Sequence, residues 1–65
     1  MTLDELKNEF KTSYQFQKRT GMMHTNWYNW FGKYGYIPIE SQMKIEQCTN
    51  GILKANLNDV PKKGS

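Results

Sequence analysis

The scarcity of cross-linking residues is the constraint that most limits how this chain can fold. Its 65 residues contain one cysteine, Cys48, and one histidine, His24. An intrachain disulfide is therefore impossible, and a structural zinc site, which takes about four Cys or His ligands, is excluded. A core of this size rarely contributes more than about 3–5 kcal/mol of stability. The chain must therefore fold as one small domain held by apolar packing, or gain stability by dimerising.

Charged and aromatic residues are distributed unevenly along the chain, whose formal net charge is +3. No acidic residue lies between Glu9 and Glu40, and every aromatic residue lies between Phe10 and Tyr36. The same window holds the cations Lys11, Lys18, Arg19 and Lys33. A segment rich in cations and rings is typical of a polyanion-binding surface, although rings can also form a core and cations a solvated face.

The sequence predicts a soluble cytoplasmic protein without enzymatic activity. Residues 1–7 include Asp4 and Glu5 and have no apolar run, so they do not resemble a signal peptide. No stretch approaches the roughly 18 apolar residues that span a bilayer, and a lone thiol fits a reducing compartment. One histidine and six acids do not assemble into a catalytic triad or a carboxylate pair. We expect no cofactor, no metal and no small-molecule ligand.

Capping residues and apolar spacing predict four helices. Thr2 and Glu5 form a capping box for a helix that ends near Phe10. Thr12 or Ser13 can cap a second helix, which runs to about Thr20 and ends at Gly21. A third helix over 24–32 places three rings on its inward side at spacings of three and four residues, namely Trp27, Trp30 and Phe31.

The fourth helix is predicted from Pro38 or Ile39 to Thr49, and Asn50-Gly51 follows as a helix stop or a hairpin turn. Residues 52–60 are sparsely apolar and fit a short strand, a last helical turn or a dimer contact. The expected fold is mainly α, a compact four- to five-helix bundle containing a helix-turn-helix. Residues 1–60 form the domain and 61–65 a disordered basic tail. We expect Cys48 to be a small buried residue and three methionines, Met22, Met23 and Met43, to fill gaps in the core.

Two short helices joined by a tight turn containing glycine form the helix-turn-helix pattern. The matching segment is Thr20-Gly21-Met22-Met23-His24-Thr25-Asn26-Trp27-Tyr28-Asn29-Trp30, followed by Ile37-Pro38, Lys44-Ile45-Glu46 and Thr49-Asn50-Gly51. From about Leu3 to Leu57 the chain resembles the small Cro-type helix-turn-helix repressors of temperate phages and related bacterial regulators. The resemblance implies a transcriptional regulator that binds double-stranded DNA as a homodimer, at a palindromic operator in the cytoplasm and nucleoid of a bacterial host.

The resemblance also implies which residues touch DNA. The second helix of the motif would lie in the major groove, with four residues facing the bases: His24, Thr25, Tyr28 and Asn29. Asn29 suits adenine, His24 can donate to guanine or a phosphate, and the long ring of Tyr28 suits a phosphate or sugar better than a base. Contacts to the DNA backbone are implied for Lys11, Ser13, Tyr14, Lys18, Arg19, Asn26 and Lys33, with Lys62 and Lys63 as a further arm.

Three positions depart from the family pattern, and at one of them Thr20 replaces a usual apolar residue. Gln17 occupies a place where a small residue is usual, because the two helices approach closely there. Met23 stands where Ser or Thr often caps the second helix. Since a methionine side chain cannot serve as this cap, we expect the cap to shift to His24 or to be lost, at a cost of about 1 kcal/mol.

Other functions fit the same residues. Tyr34 and Tyr36 could anchor a host protein, which would make the chain a small phage interaction or inhibitor module. A single-stranded nucleic acid could stack its bases on Tyr28, Tyr34 and Tyr36. A winged helix that uses Asn50-Gly51 as a hairpin turn would remain a DNA-binding protein.

Overall fold

The computed structural model describes residues 1–61, and within that range the chain is a small helical bundle without strands. Four α-helices and two shorter helical segments follow one another along the chain: α1 (Leu3–Phe10), α2 (Ser13–Thr20), α3 (His24–Asn29), a π-helical segment (Trp30–Tyr34), α4 (Ile39–Cys48) and a 3-10 turn (Leu57–Asp59). The predicted mainly α bundle is confirmed. The short strand allowed for residues 52–60 is not present.

The predicted caps of the first two helices are confirmed. The Thr2 hydroxyl accepts a hydrogen bond from the Glu5 N–H, and the Glu5 carboxylate accepts one from the Thr2 N–H at 2.8 Å. Thr12 caps α2 by accepting from the Gln15 N–H at 3.2 Å. Both helices therefore start where their side chains satisfy otherwise unpaired backbone donors.

The turn between α2 and α3 depends on Gly21 and Thr20. Gly21 has a φ of 77°, which places it in the left-handed region that ends helices. The Thr20 hydroxyl donates to the Phe16 carbonyl oxygen at 2.7 Å and accepts from the Met22 N–H at 3.1 Å. This hydroxyl therefore links the last turn of α2 to the residue that follows the glycine.

Aromatic rings form the centre of the core, with Phe16 in the middle. The Phe16 ring lies 5.5 Å, centroid to centroid, from each of Phe10, Trp27 and Trp30. Phe10, Phe16 and Trp30 are almost fully buried, and Trp27 and Trp30 lie on one side of α3 and its continuation, as their spacing predicted. Edge and tilted ring pairs at this separation are favourable, so this cluster fixes α3 against α1 and α2.

The third helix differs from its prediction. A single α-helix over 24–32 was expected, but α-helical hydrogen bonding ends at Asn29 and the chain continues as a π-helix to Tyr34. The Gly35 N–H closes the wide turn on the Trp30 carbonyl oxygen at 2.8 Å, and Gly35 ends it with a φ of 78°. Gly32 lies inside the π-helix and does not break it. A wider turn inserts one residue without breaking the helix, which periodicity alone does not reveal.

Gln42 on α4 is completely buried and connects three separate segments of the chain. Its side-chain oxygen accepts from the Met1 ammonium group at 2.7 Å and from the Asn56 N–H at 2.8 Å. Its side-chain nitrogen donates to the Ile37 carbonyl oxygen at 2.8 Å. The Met1 ammonium group also donates to the Lys54 carbonyl oxygen at 2.9 Å and lies 3.1 Å from the Asp59 carboxylate. Its three hydrogens thus have three acceptors.

A row of polar side chains on α4 holds the segment after the helix. Gln42, Glu46 and the residue just after α4, Thr49, follow one another at spacings of four and three, so they share one face. Each accepts from a backbone N–H of that segment: Thr49 from Leu53 at 3.2 Å, Glu46 from Ala55 at 2.7 Å, and Gln42 from Asn56. This segment therefore lies along α4 without forming a strand, and Asn50-Gly51 is a helix stop rather than a hairpin turn.

Several predictions of burial are wrong. Cys48, expected to be buried, is exposed, and its Sγ lies 3.7 Å from the Thr20 carbonyl oxygen at the edge between α4 and α2. Met23 and Met43 are also exposed, at 63% and 57%, because the aromatic rings already fill the interior. Met22 packs against the core as predicted. Of the predicted disordered tail, residues 62–65 lie outside the described residues.

No helix in residues 1–61 combines the length and apolar character that crossing a bilayer requires. The longest, α4, has ten residues.

Replacing Gln42 with leucine should lower the free energy of unfolding by about 2–4 kcal/mol, because the ammonium group, the Asn56 N–H and the Ile37 carbonyl would lose a partner in the interior. Urea unfolding followed by tryptophan fluorescence measures the loss. Gln47→Leu, an exposed position on the same helix, is the control and should change stability little. Equal midpoints for the two variants would contradict the role given to Gln42.

The two glycines at positions 21 and 32 should respond to alanine in opposite directions. An added Cβ meets nothing within 4 Å at either position, so only backbone conformation differs. Gly21→Ala should cost about 1 kcal/mol because φ is positive there, whereas Gly32→Ala should gain up to about 1 kcal/mol by restricting the unfolded chain. Thermal unfolding by circular dichroism measures both. A stabilising effect of Gly21→Ala would show that the turn does not require the left-handed conformation.

Candidate nucleic-acid interface

The outer face of α3 brings together the four residues predicted to face DNA bases. Trp27 and Trp30 anchor one side of the helix in the core. The opposite side carries His24, Thr25, Tyr28 and Asn29, all of them exposed, with Tyr28 at 59%. Spacings of one, four and five residues place them on one surface of the helix.

Gln17 on α2 supplies the cap that Met23 cannot. Met23 is the N-cap residue of α3 by position, and its side chain makes no capping hydrogen bond. The side-chain oxygen of Gln17 accepts instead from the His24 N–H at 3.2 Å, and it lies 2.8 Å from His24 Nδ1. The N-cap side-chain bond is therefore lost, as one of the two expectations had it, and it does not shift to His24. A side chain from the preceding helix satisfies one of the freed backbone donors instead.

Ser13 on α2 holds the other end of the exposed face. Its hydroxyl donates to the Tyr28 hydroxyl at 3.0 Å. The Tyr28 ring also meets the His24 ring edge to face, with centroids 5.9 Å apart. The Ser13 hydroxyl in the first turn of α2 and the Tyr28 ring on α3 thus lie side by side. Tyr14, the residue after Ser13, is 67% exposed.

The cations predicted to contact DNA backbone differ in their surroundings. Lys11, Lys18 and Lys33 are exposed, and the Lys18 ammonium group lies 6.0 Å from the centre of the Tyr14 ring. Arg19 is engaged within the fold: it bonds the Glu9 carboxylate at 2.8 Å and the Glu9 carbonyl oxygen at 3.1 Å, and stacks 4.6 Å from the Phe10 ring. Asn26 is half-buried.

Of the tyrosines in the alternative interpretations, Tyr28 lies on α3, Tyr34 is the last residue of the π-helix and Tyr36 follows it. Tyr34 is 49% exposed, and its ring stacks on that of Tyr36 with centroids 5.9 Å apart. The stacking occupies one face of each ring. Among residues 1–61, no group of three His, Cys, Asp or Glu side chains is placed to hold a metal ion.

The contact of Gln17 with the start of α3 was not predicted from the sequence. Two features of the sequence could have indicated it. Met23 leaves the start of α3 without a side-chain cap, and Gln17 places a polar amide on the preceding helix where the family pattern has a small residue. An amide side chain that bends across the turn leaves room for the two helices to approach, and it bonds a free backbone N–H at the start of α3.

Comparisons of the chain with family models, with curated proteins and with solved structures give no match.

Arg19→Gln should lower stability by about 1 kcal/mol, because it removes the pair with Glu9, the bond to the backbone and the contact with Phe10. Lys18→Gln, the adjacent residue on the same helix, should leave stability nearly unchanged. Urea unfolding of both variants at low salt makes the comparison. Equal stability of the two would contradict the structural role of Arg19.

Proposed function

We propose that this protein is a sequence-specific double-stranded DNA-binding regulator, a Cro-like repressor that reads the major groove of a palindromic operator as a dimer. The observation that carries the proposal is the exposed polar face of α3, held in place by Gln17 and Ser13 of the preceding helix. A recognition surface must present polar groups on a rigid element, and α3 is such an element because Trp27 and the Gln17 and Ser13 contacts fix it against α2.

The side chains of this face suit base edges and phosphates. The Asn29 amide can bond both N6 and N7 of adenine, and Thr25 offers a hydroxyl and a methyl group. Tyr28, whose hydroxyl is already bonded to Ser13, is assigned to a phosphate together with Ser13 and Tyr14. The exposed Lys11, Lys18 and Lys33 supply the charge, whereas Arg19 is assigned mainly to the fold because of its pair with Glu9.

Charge favours a polyanion as the partner. From Ser13 to Tyr34, which includes α2, the turn, α3 and the π-helix, the sequence contains no aspartate or glutamate. A phosphate backbone approaching this part of the chain meets no carboxylate from these elements.

Dimerisation is proposed through residues 52–60, where Ile52 and Leu57 are 65% and 67% exposed. Two copies would place their α3 helices about 34 Å apart, one turn of DNA, and block polymerase by occupying the operator. The dimer forms either before binding or on DNA.

Asn29→Ala should weaken binding to a selected operator by roughly 5- to 150-fold for each half-site, corresponding to the ~1–3 kcal/mol of one bidentate base contact, and should relax preference at one position of each half-site. The operator is obtained by selection from random duplexes with purified protein, and affinity is measured by fluorescence anisotropy over a series of salt concentrations. Asn8→Ala, an exposed asparagine on α1, is the control and should bind like the unaltered chain.

The same measurements separate the competing functions. Unchanged affinity of both Asn29→Ala and Thr25→Ala would contradict direct reading by α3. Preference for single-stranded over duplex probes would favour base stacking on the tyrosines. Capture of a stoichiometric host protein, without salt-sensitive retention on DNA, would favour the interaction module.

A further inference from the structure

The contact between Gln17 and His24 fixes the orientation of the Gln17 amide. The two ends of an amide side chain, oxygen and NH2, are distinguished by the partners they meet. The His24 backbone N–H is only a donor, and it points at the Gln17 side-chain atom 3.2 Å away. That atom must therefore be the carbonyl oxygen, whatever the imidazole ring does.

The same oxygen determines which ring nitrogen of His24 carries hydrogen. It lies 2.8 Å from His24 Nδ1. Because a carbonyl oxygen only accepts, Nδ1 must donate and therefore carries a hydrogen. A neutral imidazole has one N–H, so its other nitrogen, Nε2, is left with a free lone pair.

We propose that Gln17 is a positioning residue that holds neutral His24 in its Nδ1–H form and thereby makes Nε2 an acceptor directed toward base amino groups. The second part rests on the proposed function. In the major groove adenine offers the N6 amino group and cytosine the N4 amino group, whereas guanine O6 and thymine O4 accept. His24 would therefore accept from the amino group of adenine or cytosine, whereas the sequence suggested that it donates to guanine or to a phosphate.

Other contacts also restrain the orientation of the His24 ring. The edge-to-face contact with Tyr28, with 84° between the ring planes, also restrains the His24 ring. Tyr28 is in turn bonded to Ser13. Gln17 and Ser13 of α2 thus each bond one of two rings that contact each other, His24 and Tyr28.

Long-range ¹H–¹⁵N spectra of the free protein test the first part directly. Nδ1 couples strongly to one ring proton and Nε2 to two, which identifies each nitrogen, and the ¹⁵N chemical shift shows which of them carries hydrogen. The spectra are recorded at a pH where the ring is neutral, which the same signals report. The unaltered chain and the control Gln15→Leu should give Nδ1–H. Gln17→Leu should shift the ring toward Nε2–H, and Gln17→Glu, which keeps an acceptor, should retain Nδ1–H.

Operator selection at the same pH tests the second part. At the base pair whose preference disappears in His24→Ala, duplexes are also made with purine in place of adenine or 2-pyrimidinone in place of cytosine, which lack the amino group. This change should weaken binding of the unaltered chain by roughly three- to tenfold more than it weakens binding of His24→Ala, as expected for one hydrogen bond, and Gln17→Leu should reduce that difference. An equal loss of affinity in the unaltered chain and in His24→Ala on removing that amino group would overturn the base assignment.

The two failures are distinguishable. Nε2–H signals in the unaltered chain overturn the proposal whether or not the protein binds DNA. If the unaltered chain shows Nδ1–H signals but selects no duplex, the effect of Gln17 on the His24 tautomer is supported. The proposed function and the base assignment are then both overturned.

Discussion

The buried amide of Gln42 is the interaction on which the rest of the structure depends. The chain start at Met1, the extended entry into α4 at Ile37 and the segment after α4 at Asn56 all bond to this one side chain. A buried amide is costly unless its groups are paired, so each of the three segments is needed for the others to be placed correctly. With no disulfide available, this shared polar centre performs the cross-linking that a small domain otherwise obtains from covalent bonds or metal.

The path of the segment after α4 could not be predicted from the sequence, because it depends on such polar bonds between distant segments. Residues 53–56 are held by side chains of Gln42, Glu46 and Thr49 rather than by apolar burial, and of the apolar residues nearby only Leu53 is deeply buried. Hydrophobic periodicity detects burial and does not detect backbone donors that meet side-chain acceptors. For this reason strand, helical turn and dimer contact were equally compatible with the sequence.

The predictable part depends on local signals. The Thr2–Glu5 capping box, the Thr12 cap and the left-handed Gly21 act over at most four residues, and the spacing of Trp27 and Trp30 reports the buried side of one helix. The four exposed residues of α3 follow directly from that spacing. Their bracing by Gln17 and Ser13 does not, because it requires contacts across seven and fifteen residues of chain, between elements whose relative placement is set by the Phe16 cluster.

Because Gln17 and Ser13 bond only some of the side chains, the outer face of α3 has two kinds of residue, those bonded to α2 and those that are not. His24 and Tyr28 are bonded to α2 and contact each other, so their positions are set before any ligand arrives. Thr25 and Asn29 have no side-chain hydrogen bond to another part of residues 1–61, so their rotamers remain free. On a DNA-reading face, held groups lose little conformational entropy on binding, whereas free ones can adjust to the groove at a cost in entropy. Under the proposed function, the bonded pair fixes the approach of the helix, and the free pair completes the fit to the bases.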